Sequence, residues 1–135
     1  MLFLGLFKRK KKNHEIKQKI GSEIEWPDHI VTLDGKIFED FIQKYPLSVV
    51  DFWASWCAPC KAMSPRLRRL SNIYKGKVAF GKLDVQKNKD IADKYKIVGI
   101  PHLVFFSYGK KILSITGLKT VSDIKDTIEN ILKKV

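Results

Sequence analysis

The sequence predicts an α/β fold, a central mixed sheet with helices on both faces and elements in the order β-α-β-α-β-α-β-β-α. Three observations carry this prediction. Strand-like and helix-like stretches alternate from about residue 28 onward, which implies parallel strands joined by right-handed crossovers. Residues 47–53 form a nearly continuous apolar run interrupted by Ser48 and Asp51, the pattern of a strand covered on both faces and therefore central. The last two strand-like stretches are separated by a turn containing Gly109, so they are expected to pair as an antiparallel hairpin at one side.

Each element has its own local signal. Residues 29–33 read as a short strand, and Phe38, Phe41 and Ile42 recur at helical spacing within 38–45. Pro46 ends that helix, because the residue before a proline is driven out of the helical region. After the central strand, Met63, Leu67, Leu70, Ile73 and Tyr74 recur every three or four residues. They predict a helix that begins at the cysteines and runs to Lys75, with Pro65 expected to kink it. Residues 77–84 read as a strand, 89–95 as a short helix, 102–106 as a strongly apolar strand and 112–115 as its hairpin partner. Thr120 with Asp123 three residues later is an N-cap pattern, followed by Val121, Ile124, Ile128, Ile131 and Leu132 on one face of a last helix.

A chain of 135 residues fits one compact domain that buries about two thirds of its unfolded-state surface without a metal or structural disulfide. The division expected is a basic N-terminal extension over 1–27, flexible or partly helical, and a folded domain over 28–135. The net charge is +12, and half of it lies between residues 8 and 20, where seven basic residues face one acid. Lys8, Arg9, Lys10, Lys11 and Lys12 are the densest part of this arm, which is expected to be mainly a solvated tail with a weak contact to anionic surfaces at most. The first seven residues are apolar, yet the basic cluster follows them, the wrong order for a secretory signal. That run is also far short of the roughly 20 apolar residues of a membrane helix. The protein is therefore expected in the cytoplasm, as a monomer.

The chain has two cysteines, Cys57 and Cys60, spaced C-x-x-C. In a reducing compartment such a pair points to redox chemistry or to a metal. Structural zinc takes four ligands, and His14, His29 and His102 are scattered, so no metal is expected. A cysteine at a helix N-terminus faces unpaired backbone N–H groups and the positive end of the helix dipole, both of which favour a thiolate. Lowering its pKa from about 8.5 to about 7 raises the thiolate fraction roughly 16-fold at neutral pH, but the weaker nucleophile gives back about 5-fold. The net gain of about 3-fold leaves most of the rate to positioning and to fast resolution. Cys60, one turn further in, is placed to resolve a mixed disulfide, and Pro59 limits the loop between the two. Asp51 is the odd residue of the central strand, because a buried carboxylate is costly unless paired or protonated.

The segment from Val50 to Lys61, Val-Asp-Phe-Trp-Ala-Ser-Trp-Cys-Ala-Pro-Cys-Lys, resembles the active-site stretch of the thioredoxin family. The likeness extends over residues 29–135 and takes in Pro65, Lys82, Ile100-Pro101, Gly109 and Gly117. It departs at Ala58, where the family often has Gly, and at His102, where it commonly has Thr. The resemblance implies a thioredoxin fold and a protein-disulfide reductase working through a mixed disulfide on Cys57. By the same resemblance Cys60 resolves, Asp51 accepts the proton of Cys60, Lys82 tunes Asp51, and Pro101 lies in cis against the cysteines. Trp56, Ala58, Pro59, Gly99, Ile100 and Gly117 are then the substrate-binding surface, whereas Trp53 reads as core packing and His102 as a strand residue pointing away. The family implies no bound cofactor beyond the redox-active Cys57–Cys60 disulfide. Its partners would be disulfide-containing proteins and a thioredoxin reductase as electron donor.

Two competing readings stand beside this one. A thioredoxin-like binding module would use its basic arm on nucleic acid or a membrane, but residues 8–20 lack aromatic side chains for base stacking. A disulfide isomerase or oxidase would share the fold. Ala58-Pro59, with no histidine between the cysteines, favours reduction.

Overall fold

The computed structural model describes residues 24–134, and the basic run of the N-terminal arm lies outside them. The elements are β1 (Val31–Leu33), α1 (Phe38–Lys44), β2 (Ser48–Trp53), α2 (Ala58–Ile73), β3 (Ala79–Asp84), α3 (Lys89–Lys94), β4 (His102–Ser107), β5 (Lys110–Thr116) and α4 (Val121–Lys134). This is the α/β order that the alternation predicts. The sheet runs β1-β3-β2-β4-β5, which puts the apolar strand β2 in the middle. β3 pairs in parallel with β1 and β2, while β4 is antiparallel to both β2 and β5.

The period-two alternation of the strands divides the core into two layers. On one face Met63, Leu67 and Leu70 of α2 and Ile124, Ile128 and Ile131 of α4 pack on Val49, Phe80, Leu103 and Phe105. On the other, Phe38, Phe41 and Ile42 of α1 pack on Val50, Phe52, Val104 and Phe106. Tyr95, just past α3, closes this second layer with ring contacts to Phe38, Phe52 and Phe106. Burying such a side chain fully contributes about 1.5–3 kcal/mol, so the two layers hold the sheet between them.

Element ends move for identifiable reasons. β3 begins at Ala79 rather than at residue 77, because the N–H groups of Lys77 and Val78 both donate to the carbonyl of Tyr74 in the turn that ends α2. Gly76 permits this turn with φ of +82°. β1 begins only at Val31, where its pairing with β3 starts, whereas β5 reaches back to Lys110 because its pairing with β4 continues past the apolar residues. α2 runs as one helix through Pro65. The Thr120 hydroxyl accepts from the N–H of Asp123 at 3.0 Å, the N-cap bond that opens α4. Ile24 and Trp26 pack on the α1 layer, with the Trp26 ring 5.1 Å from that of Tyr45, so the folded body reaches into the segment assigned to the extension.

β2 delivers the chain to the start of α2, and the register that pairs Phe52 with His102 sets the residues before β4 beside that point.

Candidate active site

After Trp53 the chain turns through a bond from the Cys57 N–H to the Ala54 carbonyl, 3.2 Å, and enters α2 with Cys57 as its N-cap. Cys57 is extended (φ −90°, ψ 106°), which aims its Sγ at the unpaired N–H groups of the first turn. The N–H of Cys60 donates to that sulfur at 3.2 Å. Pro59 sits within this first turn, where its missing N–H removes no helical bond. Cys57 and Cys60 are joined as a disulfide, with Cα atoms 5.3 Å apart. Both are nearly buried, but Trp56, Ala58 and Pro59 around them are exposed, Trp56 to 65%.

The loop before β4 faces this disulfide. The Ile100–Pro101 peptide bond is cis, and the Ile100 carbonyl oxygen lies 3.8 Å from Cys57 Sγ. Pro101 accepts a bond from the N–H of Gly117 at 2.8 Å, which brings the loop after β5 alongside. Gly117 has φ of +94°, a conformation that other residues adopt only with strain. Gly99 meets the Thr116 methyl closely, since a Cβ added there would stand 3.0 Å from it. Val98 is 97% exposed and Leu118 is exposed beside Gly117, so each of these two loops presents an apolar side chain to solvent.

Behind the disulfide lies a polar interior. Asp51 is 6% exposed, and its Oδ1 has no hydrogen-bonding partner among the described residues. Parallel pairing puts Lys82 of β3 opposite Asp51, and the Lys82 Nζ stands 5.6 Å over the Trp53 ring. Burial raises the Asp51 pKa from the usual 3.8 to about 7, against the opposing pull of the Lys82 charge. Asp51, Lys82, Trp53 and Cys60 share the wall of a cavity of about 120 Å³.

The residues expected at the site thus gather at one end of the sheet. Cys57, Cys60, Ile100, Pro101 and Gly117 are linked by direct contacts, Trp56, Ala58, Pro59 and Gly99 adjoin them in the chain, and Asp51 and Lys82 lie beneath. Trp53 packs as read, half-buried against the small core of Ala54 and the cysteines, and in addition its indole N–H has no partner among the described residues. Strand alternation offers the signal, since Trp53 must face the same side as Asp51. Arg66 escapes sequence reasoning altogether: its Nη1 donates to the Lys119 carbonyl at 2.6 Å and ties α2 to the loop holding Gly117. His102 lies on the α1 face, with its ring edge to Phe52 and Nδ1 2.8 Å from Thr116 Oγ1. Burial, aided by Lys111, keeps its pKa below the ordinary value. Among the described residues no cluster of three or more His, Cys, Asp or Glu is arranged to hold a metal ion, and no helix is long and apolar enough to cross a membrane.

A disulfide spanning the N-cap and first turn of a helix, fed by the central strand and faced by a cis-proline loop, defines the site of a thiol–disulfide oxidoreductase. The thioredoxin family model matches residues 29–130. The thioredoxin of Staphylococcus saprophyticus is 37% identical over 100 residues, which cover 74% of this chain and 95% of that one. A bifunctional thioredoxin reductase/thioredoxin of Mycobacterium leprae is 31% identical over 106 residues, 76% of this chain and 23% of that one. Among solved structures, a mutant thioredoxin from Halobacterium salinarum superimposes with a TM-score of 0.74 at 30% identity, covering 79% of this chain and 94% of that one. The chain belongs to the thioredoxin family and is a protein thiol–disulfide oxidoreductase.

Proposed function

We propose that the protein reduces disulfides of other proteins, with Cys57 attacking and Cys60 resolving. The observation that carries this is the Cys57 sulfur at the head of α2, 3.2 Å from the Cys60 N–H and bonded to the Cys60 sulfur. In the reduced protein that N–H favours a thiolate on Cys57. The thiolate forms a bond to one sulfur of the target disulfide, whose other sulfur leaves with the electron pair and takes a proton from water. Cys60 then gives its proton to Asp51 and attacks Cys57, the bond to the target breaks, and the departing target sulfur leaves with the electron pair and takes a second proton from water. The target gains two electrons and two protons, and the two cysteines end as a disulfide.

Asp51 suits this role because a group titrating at about 7 exchanges protons readily near neutrality, and the Lys82 charge keeps it from being held neutral. The extended target would lie along Ile100 and Pro101, with Trp56, Ala58, Pro59, Gly99 and Gly117 forming the surface around its disulfide. Electrons would return from a thioredoxin reductase, a pairing supported by the bifunctional reductase/thioredoxin of Mycobacterium leprae. We place this cycle in the cytoplasm, in a monomer, with the arm around Lys8 to Lys12 in an auxiliary role.

Reduction of insulin disulfides by dithiothreitol tests the reading. Wild type should accelerate it, and Cys57→Ser and Cys60→Ser should each abolish the acceleration. Equal rates in all three proteins would overturn the proposal.

A further inference from the structure

Ser64, one helical turn beyond Cys60, lines two cavities at once. The inner one, of about 120 Å³, also touches Asp51, Cys60 and Lys82. The outer one, of about 280 Å³, shares Asp51 and Lys82 and opens along α2 past Arg68 toward His29. A water requires roughly 10–15 Å³ of room and about two to four polar partners, and both cavities meet these conditions. Ser64 therefore stands at the junction between the buried carboxyl and the outside of α2.

The hydrogen-bond inventory fixes what its hydroxyl can do. Arg68 Nη1 donates to Ser64 Oγ at 3.2 Å. A serine hydroxyl has a single hydrogen to give, and with Arg68 on a lone pair that hydrogen remains for an acceptor in the cavity. Asp51 Oδ1 is such an acceptor, buried and without a partner among the described residues. The other groups turned toward Asp51 are Lys82 from β3, Cys60 and Lys61 from α2, and at the outer mouth Asp28 and His29, paired with each other at 2.8 Å. From β4 the residue opposite Asp51 is Leu103, which is apolar.

We infer that Ser64, held by Arg68, is a positioning residue for the proton transfer from Cys60, its hydroxyl reaching Asp51 through a cavity water and favouring the carboxylate that accepts the proton. This rests on the role proposed for Asp51. A hydrogen bond to the charged form of an acid opposes the burial that drives it neutral, and a donor that is itself hydrogen-bonded to a guanidinium is polarised for the task. In the resolving step the Cys60 S–H bond breaks and Asp51 takes the proton, the freed electron pair forms the bond to Cys57 as the bond from Cys57 to the target breaks, and the target sulfur leaves with that bond's electron pair and a proton from solvent. The proton then leaves Asp51 for solvent along the outer cavity, on the α2 side, which a target covering the disulfide leaves open.

The test follows the Asp51 side-chain carboxyl by carbon-13 NMR from pH 5 to 9 in the oxidised full-length protein. Ser64→Ala should raise the titration midpoint by about half a pH unit, leaving about threefold less carboxylate at pH 6. Ser64→Thr, which keeps the hydroxyl, should restore the wild-type midpoint, and Arg68→Gln should shift it upward by less. Insulin reduction by Ser64→Ala should be about threefold slower at pH 6 and equal to wild type above pH 8.5. An unmoved midpoint in Ser64→Ala, or a Ser64→Thr midpoint displaced as far as that of Ser64→Ala, would overturn the inference. The titration needs no turnover, so its outcome is separate from that of the reductase reading.

Discussion

Alternate residues of β2 enter two different interiors. Val50 and Phe52 join the α1 layer, where Phe38, Phe52, Phe106 and Tyr95 meet ring to ring and the strand face is wholly apolar from Val50 onward. Asp51 and Trp53 face α2, where a carboxyl oxygen and an indole N–H have no partner among the described residues and cavities replace close packing. One strand thus carries both fully buried aromatic packing and buried polar groups without a partner among the described residues. The comparison teaches that the α1 layer supplies stability that lets the α2 side hold a carboxyl in a state water would not give it.

Mutations on the two faces should behave oppositely. Phe52→Ala, on the aromatic side, should lower stability by about 3–5 kcal/mol in chemical denaturation. A loss under about 1 kcal/mol would break the contrast. Asp51→Asn should raise stability, with a pH dependence that identifies the cause. The folded protein holds the Asp51 proton up to about pH 7, whereas the unfolded chain releases it near 3.8. The native state therefore binds the extra proton, and wild-type stability falls as pH rises from the unfolded value through the folded one. The gain in Asp51→Asn should be absent below about pH 3.8, grow between the two values, and level off at roughly 2–4 kcal/mol above pH 8 in the oxidised protein. Denaturation midpoints measured across that range would show a flat difference if Asp51 titrated normally.

Lys82→Met sharpens the same side, because removing the charge that opposes burial should move the Asp51 titration above about 7 in carbon-13 NMR. An unchanged titration would mean the lysine charge is spent elsewhere. Ser48 is the exception on the aromatic side, fully buried with a hydroxyl that has no partner among the described residues. Ser48→Ala should be neutral or stabilising, by up to about 1 kcal/mol in the same denaturation experiment.

The parts legible in the sequence are those written in short-range pattern. The apolar run of residues 47–53 announces the central strand, the three-and-four spacing of Met63, Leu67 and Leu70 announces α2, and Thr120 with Asp123 announces the cap of α4. The cysteine spacing and the oddity of Asp51 locate the chemistry, and the thioredoxin resemblance supplies Lys82 and Pro101. What escapes depends on contacts between distant residues. Trp26 packs on Tyr45, Arg66 reaches Lys119, and Lys82 spreads over Trp53, none of which leaves a local periodicity. Strand ends shift where backbone groups, not side chains, decide the boundary, as in the turn after Tyr74.

The most direct measurement is mass spectrometry of Cys60→Ser and Cys57→Ser after reduction and brief exposure to a disulfide-containing peptide. Cys60→Ser should hold the peptide as a mixed disulfide on Cys57, because the attacking sulfur at the head of α2 is present and the resolving one is not. Cys57→Ser should hold little or none. An adduct on Cys60 in Cys57→Ser, with none on Cys57 in Cys60→Ser, would contradict the assignment of the two sulfurs.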